Sequence, residues 1–445
     1  MSVSGVAGCG AAAESADMRR DLLSYTLLFT TPETGFYRQG ASLVCDGVPL
    51  APIAEAHGTP LYVYSAATIT SRYRAIDEAF AGYPHSIHYA LKANSTLAIA
   101  RLLRGLGSSA DANSGGEIDV ALRAGFTPAQ IVFTGVGKTP AELTHAIALG
   151  IKAINVESAG EIDRIEAIAS ARGARVAIAL RINPDIDART HSHISTGLKT
   201  NKFGIRFERV KAIARGARDR ASVRVLGLHI HIGSQITDLG PLTEAARALV
   251  QLARELRDEG TPIEHLDLGG GLGVSYDGSP VPSARDYAAA LLPVVRNSGL
   301  AIVLEPGRQI MAPAGVLLTR VVDVKPQDER KSFVVMDAGM TELIRPMLYS
   351  AFHRIEPVVE NDAPVRAADI VGPLCESSDT LGKDRRVRDP QPGDLFAVMD
   401  TGAYGSAMAS NYNRRLLPAE VLVEDGAARL IRRRQSLDDL LALEL

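Results

Sequence analysis

The stretch Ser86-Ile87-His88-Tyr89-Ala90-Leu91-Lys92-Ala93-Asn94 runs from a short apolar segment straight into a polar turn that carries a lysine, and a segment of helical period follows. A short buried strand, a turn and a helix make one βα unit of a parallel sheet. The unit recurs along the chain. Its apolar runs are 86–90, 109–112, 131–134, 153–156, 176–182, 225–231, 265–268 and 301–305. Eight units over about 250 residues match the number and span of a (β/α)8 TIM-type barrel, although a doubly wound sheet could also hold eight strands.

The placement of unusual residues favours the barrel, whose catalytic groups sit at the C-terminal ends of the strands. The first run leads into Lys92-Ala93-Asn94 and the second into Asn113-Ser114-Gly115-Gly116. The sixth ends in His231-Ile232-Gly233-Ser234, the seventh in Gly269-Gly270-Gly271 and the eighth in Glu305-Pro306-Gly307-Arg308. Polar and glycine-rich features thus gather at one mouth.

Beyond Arg308 the pattern turns to β-rich segments at 316–324, 332–336, 368–372, 394–398 and 419–423, the signature of a mostly antiparallel β domain. Near the start, Val44-Cys45-Asp46-Gly47-Val48 reads as a hairpin that adds a strand to that domain. The expected division is a mobile tail over 1–24, a β domain drawn from 25–58 and 309–445, and a barrel over 59–308.

The chain has 445 residues, 48 Lys or Arg against 51 Asp or Glu, a net charge of -3 and 46% hydrophobic residues. It is globular and longer than one ordinary domain, and it has no general attraction for nucleic acid or anionic lipid. Ligand charge must therefore be met locally. Three cysteines, Cys9, Cys45 and Cys375, are too few for a disulfide framework or a zinc ribbon and suit a reducing, cytoplasmic setting. The Gly- and Ala-rich opening lacks a basic start before an apolar core, and no run nears the roughly 18 apolar residues that span a bilayer.

Each chemical candidate has a plainer counterpart. Lys92 is either a solvated loop charge or an amine inside the barrel mouth, where burial lowers its pKa and favours imine chemistry. Gly269-Gly270-Gly271 is either a flexible turn or a backbone cradle for phosphate; it lacks the spacing of a dinucleotide fingerprint. His229 and His231 lie two apart and share the inner face, with His231 nearer the mouth. H-x-H is also a metal spacing, repeated at His191-Ser192-His193, but the third and seventh strand ends read as offering no further ligand, so no metal is expected.

Glu305 and Arg308 make either a local ion pair or a heterocycle partner and an anion clamp. Arg345 and Tyr349, four apart after Pro346 at a first helical position, share a helix face. Cys375 has a polar, acidic surround but, like most isolated cysteines, could be inert.

Together these motifs resemble the diaminopimelate decarboxylases, in the alanine-racemase-like fold class of pyridoxal phosphate (PLP) enzymes. The resemblance rests on residues 88–94, 229–235, 267–271, 305–308, 345–349, 375–377 and 402–405, in order, and spans about residue 40 to residue 413. It implies that Lys92 holds the cofactor covalently, His231 lies against its ring and Glu305 pairs with its ring nitrogen. Ser234, Gly269, Gly270 and Gly271, with Gly307 and Arg308, would bind the phosphate side. Arg308, Arg345, Tyr349 and Glu376 would meet the substrate, and Tyr404 both cofactor and substrate. Cys375 would be the proton donor, supplied with Glu376 by the neighbouring subunit of a homodimer. Thr401 stands where the family usually has Ala.

The reaction so implied is decarboxylation of meso-2,6-diaminopimelate to L-lysine and CO₂, the final step of lysine biosynthesis. The alternatives are decarboxylation of another diamino acid (ornithine, D-lysine or carboxynorspermidine) or a non-catalytic PLP-binding protein. A shorter Asp after the cysteine is expected of ornithine-type enzymes, whereas Glu376 with Arg345 suits an amino-acid end. A carrier would need no proton donor.

Overall fold

Eight short parallel strands close into a barrel in this computed structural model, which describes residues 35–188, 196–197, 201–328 and 331–445. The expected tail, residues 25–34, Cys9 and the His191-Ser192-His193 repeat lie outside the described residues. The barrel strands are His85–Ala90, Ser109–Ala112, Ile131–Phe133, Ala153–Val156, Val176–Asn183, Val223–Ile230, His265–Asp267 and Ala301–Leu304. Closure runs through the eighth strand, where Ile302 pairs with His85 and Val303 with Ser86, and through the fourth, where Ile154 pairs with Ile178. Apolar residues predominate along the strands because helices cover the outside of the barrel and side chains fill the inside, with His88, Asp111, His229 and Asp267 among the buried polar exceptions.

Polar residues after the strands also start the helices. Ser114 accepts from Glu117 N at 3.2 Å and caps Gly115–Ala124, and Thr139 with Glu142 forms a capping box on Pro140–Leu149. Part of the polar signal at the mouth is thus helix initiation.

The second domain is a nine-stranded, mostly antiparallel sheet built around Gly315–Pro326. One strand corrects the expected boundary. Leu61–Ser65, read from sequence as the start of the barrel unit, pairs antiparallel with Gly315–Pro326 and parallel with Ala419–Glu424. Every residue of this strand is buried, so its pattern is the same whichever sheet receives it.

The opening hairpin forms, with Asp46 (φ 49°) and Gly47 (φ 83°) in the left-handed turn conformation that tight hairpins require. It does not extend the large sheet as expected. Phe36–Gln39, Ser42–Cys45 and Val48–Pro49 make a separate three-stranded sheet whose Phe36, Leu43 and Cys45 pack with Val63, Val316 and Val421.

The domains are tied beside the barrel mouth. Tyr404 N donates to Ala93 O at 2.8 Å, and Asn94 Nδ2 donates to Gly402 O at 3.3 Å. Gly402 must lack a Cβ, which would collide with the Met311 carbonyl. Thr401 is buried there, with its hydroxyl 3.4 Å from Gly315 O.

Candidate active site

Lys92 leaves the first barrel strand on the single turn Leu91–Ala93 and reaches the cavity at the mouth. Its amine lies 3.3 Å from Asp111 Oδ2 and 3.3 Å from Asn113 Oδ1, two groups that share a face because they sit two residues apart. The expected depression of its pKa is not found. Burial does push the amine down, but Asp111, Tyr404 and Glu305 outweigh it and hold Lys92 above the usual lysine range. Asp111, raised chiefly by its own burial, lies 19 residues from Lys92 in sequence.

Glu305 follows the eighth strand and is buried, with Oε2 3.1 Å from His229 Nε2. Its Oε1 has no partner among the described residues. Burial pushes this carboxyl up, yet His229, Lys92 and His231 together hold it below the usual carboxylate range. The local ion pair with Arg308 does not form. Arg308 instead donates to Ser234 Oγ from Nε at 3.2 Å and from Nη2 at 3.0 Å, and to Tyr276 OH from Nη1 at 2.8 Å.

The glycine triplet is fixed by steric necessity. Added Cβ atoms at Gly269, Gly270 and Gly271 would collide with the carbonyl oxygens of Ile230, Glu305 and Gly233, and Gly269 and Gly271 have φ values of 65° and 109°. The loop is locked from both sides. Gly269 N donates to Asp267 Oδ1 at 2.9 Å, and Gly270 N donates to His231 Nδ1 at 3.2 Å.

All ten residues expected on the cofactor side, Lys92 through Tyr404, line one cavity at the barrel mouth. Arg308 also lines an adjoining cleft with Arg345, Tyr349, Tyr276 and Phe352. Arg345 and Tyr349 bracket a one-turn helix in which Pro346 takes the second position rather than the first. Cys375 and Glu376 line neither space. Cys375 is exposed on a loop organised by Asp379, whose carboxylate accepts from Met340 N at 2.6 Å and Leu374 N at 2.9 Å.

The seventh strand does offer an inward carboxylate, contrary to the sequence reading. Donor atoms of His229, Asp267 and Glu305 all lie within 4.8 Å of one another, and all three residues are buried. Burial and the neighbouring Glu305 push the Asp267 carboxyl well above its usual range. Sequence reasoning also missed Asp111, Tyr276 and His353. Of these only Asp111 carried a signal, lying two residues before Asn113 on the inner face.

The site fits pyridoxal phosphate on its own features: a lysine amine at the mouth, a buried carboxylate oxygen without a partner, and a side-chain-free backbone cradle beside Ser234 and Arg308. The family model for the pyridoxal binding domain of pyridoxal-dependent decarboxylases matches residues 66–312. The chain is 46% identical over 404 residues to diaminopimelate decarboxylase of Neisseria meningitidis serogroup A, covering 91% of this chain and 99% of that one. It is 47% identical over 409 residues to the Vibrio cholerae enzyme of the same name, covering 92% and 98%. The crystal structure of diaminopimelate decarboxylase from Helicobacter pylori complexed with L-lysine superposes with a TM-score of 0.86 at 43% identity, over 89% of this chain and 99% of that one. A Lys92 bedded on Asp111, a Glu305 pinned by His229 and a glycine cradle within one barrel mouth therefore belong to a member of the diaminopimelate decarboxylase family.

Proposed function

We propose that this chain decarboxylates meso-2,6-diaminopimelate to L-lysine and CO₂ with pyridoxal 5'-phosphate, in the cytoplasm and as a homodimer. One observation carries the substrate class. Four arginines are buried among the described residues, and Arg181 and Arg354 pair with carboxylates, Glu157 at 2.6 Å and Glu356 at 2.9 Å. Arg308 and Arg345 have only neutral partners: Ser234 and Tyr276 for the first, His353 for the second. Two desolvated guanidinium groups without counter-ions suit two anionic groups, a phosphate and a carboxylate remote from the reacting carbon.

When bound, pyridoxal phosphate supplies the electron sink for the pair left behind by departing CO₂. The residues do the rest. Lys92 would hold the cofactor through its amine, and Glu305 Oε1, which has no partner among the described residues, would keep a proton on the ring nitrogen. Ser234, Arg308, Gly307 and the Gly269, Gly270 and Gly271 backbone would hold the phosphate side, His231 would lie against the ring and Tyr404 would contact cofactor and substrate. Arg345 and Tyr349 orient the distal amino-acid end. The Cys375 thiol would act as the general acid that returns a proton to carbon, supplied by the neighbouring subunit with Glu376 beside it. The exposed Cys375 loop, away from this chain's own cavity, supports that supply in trans.

No helix among the described residues is long and apolar enough to cross a membrane. The decisive experiment is CO₂ release from purified protein offered diaminopimelate, ornithine, lysine and arginine. Release from diaminopimelate alone is expected; preference for ornithine would move the chain to the other diamino-acid reading, and none from any substrate would leave a carrier.

A further inference from the structure

His353 lies outside every motif described above, on the segment that follows the one-turn helix bearing Arg345, and it is fully buried. Its two ring nitrogens have partners of fixed chemistry. Nδ1 lies 2.8 Å from the Met399 carbonyl, which can only accept, so Nδ1 carries the proton. Nε2 lies 2.9 Å from Arg345 Nη1, which can only donate, so Nε2 presents a lone pair. One neutral tautomer satisfies both. Burial, joined by the Arg345 charge, also holds His353 well below the usual histidine range.

Tyr276 completes the mount. Its ring meets His353 edge-on at 5.1 Å between centroids, 71° apart, and lies 4.7 Å from Arg345 Cζ. Arg345 is thus tied at one nitrogen and covered on one face, while its Nε has no partner among the described residues. A carboxylate in place of His353 would hold the guanidinium equally well but would neutralise it and compete with an incoming anion. A neutral lone pair holds it without either effect.

We infer that His353 is a positioning residue for the distal-carboxylate subsite, fixing the Arg345 guanidinium in place while leaving its charge and its remaining donors for substrate. This rests on the proposed role of Arg345 and deepens it.

Two polar variants separate this role from simple scaffolding. In His353→Asn the amide takes the place of Nδ1 and keeps the Met399 bond but falls short of Arg345; in His353→Gln it takes the place of Nε2 and keeps the Arg345 bond. His353→Asn is expected to raise KM for diaminopimelate about tenfold or more, the loss of one hydrogen bond to a charged group, with kcat within about threefold of wild type. His353→Gln is expected to stay near the wild-type KM. Inhibition by L-lysine, which keeps the distal carboxylate, should weaken in parallel in His353→Asn, whereas inhibition by 1,5-diaminopentane, which lacks it, should not change. Retention of the cofactor, read by absorbance, should be equal in all three proteins. The reverse order, Gln damaging and Asn harmless, or equal weakening of both inhibitors, would overturn the inference by assigning His353 to the fold alone. Wild-type protein inactive on diaminopimelate would instead refute the proposed function.

Discussion

His88, in the stretch that identifies the first barrel strand, is completely buried, and its Nε2 lies 3.0 Å from the Lys152 amine. An ammonium can only donate, so the ring nitrogen facing it accepts and the imidazole is neutral. Burial above all, then Lys152 and His265, pushes its pKa down from 6.5 to about 3. The unfolded chain therefore takes up a proton below about 6.5 that the folded chain refuses, and stability falls as pH drops through that value until the folded group itself titrates. Each pH unit below the unfolded value costs about 1.4 kcal/mol, so acidification from about pH 8 to about pH 5 removes roughly 2 kcal/mol through His88 alone. Other buried groups contribute their own pH dependence, so the test is a difference. His88→Gln keeps an acceptor for Lys152 and removes the titration. Urea unfolding of both proteins, cofactor removed, should show wild type losing about 2 kcal/mol more than the variant over that interval. A stability difference that stays constant with pH would mean that His88 is charged in the fold, refuting the neutral acceptor.

Gly270→Ala should abolish cofactor retention measured by absorbance after gel filtration, because its new Cβ would press on the Glu305 carbonyl, with an overpacking cost of about 1–3 kcal/mol at the cradle. Lys92→Ala should be inactive and lose the absorbance of covalently held cofactor, while Cys375→Ala should keep that absorbance and lose turnover. Mixing those two inactive variants should recover about a quarter of wild-type activity if hybrid dimers form at random with one intact site each, and no recovery would place Cys375 in its own chain's site. Arg345→Ala should raise KM for diaminopimelate about tenfold or more with little change in cofactor affinity, and an unchanged KM would remove it from the substrate subsite.

The barrel was legible because parallel strands covered on both faces read as unbroken apolar runs, and the sequence boundaries of all eight lie close to the observed ones. The same property misassigned Leu61–Ser65, since an unbroken buried run does not record which sheet receives it. Residues at strand ends could be read from position alone, which brought Lys92, Ser234 and Glu305 together on paper. Their electrostatics could not. The charge state of Lys92 depends on Asp111 across a strand pair, and that of Glu305 on His229, 76 residues away. Tyr276 and His353 gave no signal because nothing local marks a tyrosine or histidine as the neighbour of an arginine. Asp267 was passed over because the glycines after it drew the reading past the last strand residue.

The buried groups at the barrel mouth show what those distant pairings achieve. Asp111, Asp267 and Glu305 all lie in the interior, where burial penalises every carboxylate charge. Asp111 and Asp267 follow that penalty and are raised, but Glu305 is held low. The difference is local. His229 bonds Glu305 directly and, with Lys92 and His231, lowers the pKa of its carboxyl, so of the three buried acids it is the one held low. Its Oε1, which has no partner among the described residues, is the atom that would meet the ring nitrogen in the proposed function, where a fixed negative charge would strengthen the electron sink. Arg345 is the counterpart with the sign reversed: a buried cation bonded to a neutral histidine rather than to a carboxylate, so that in the proposed function its charge would remain for the ligand. At Glu305 and Arg345 alike, a histidine is the direct partner that fixes the orientation of the buried charge.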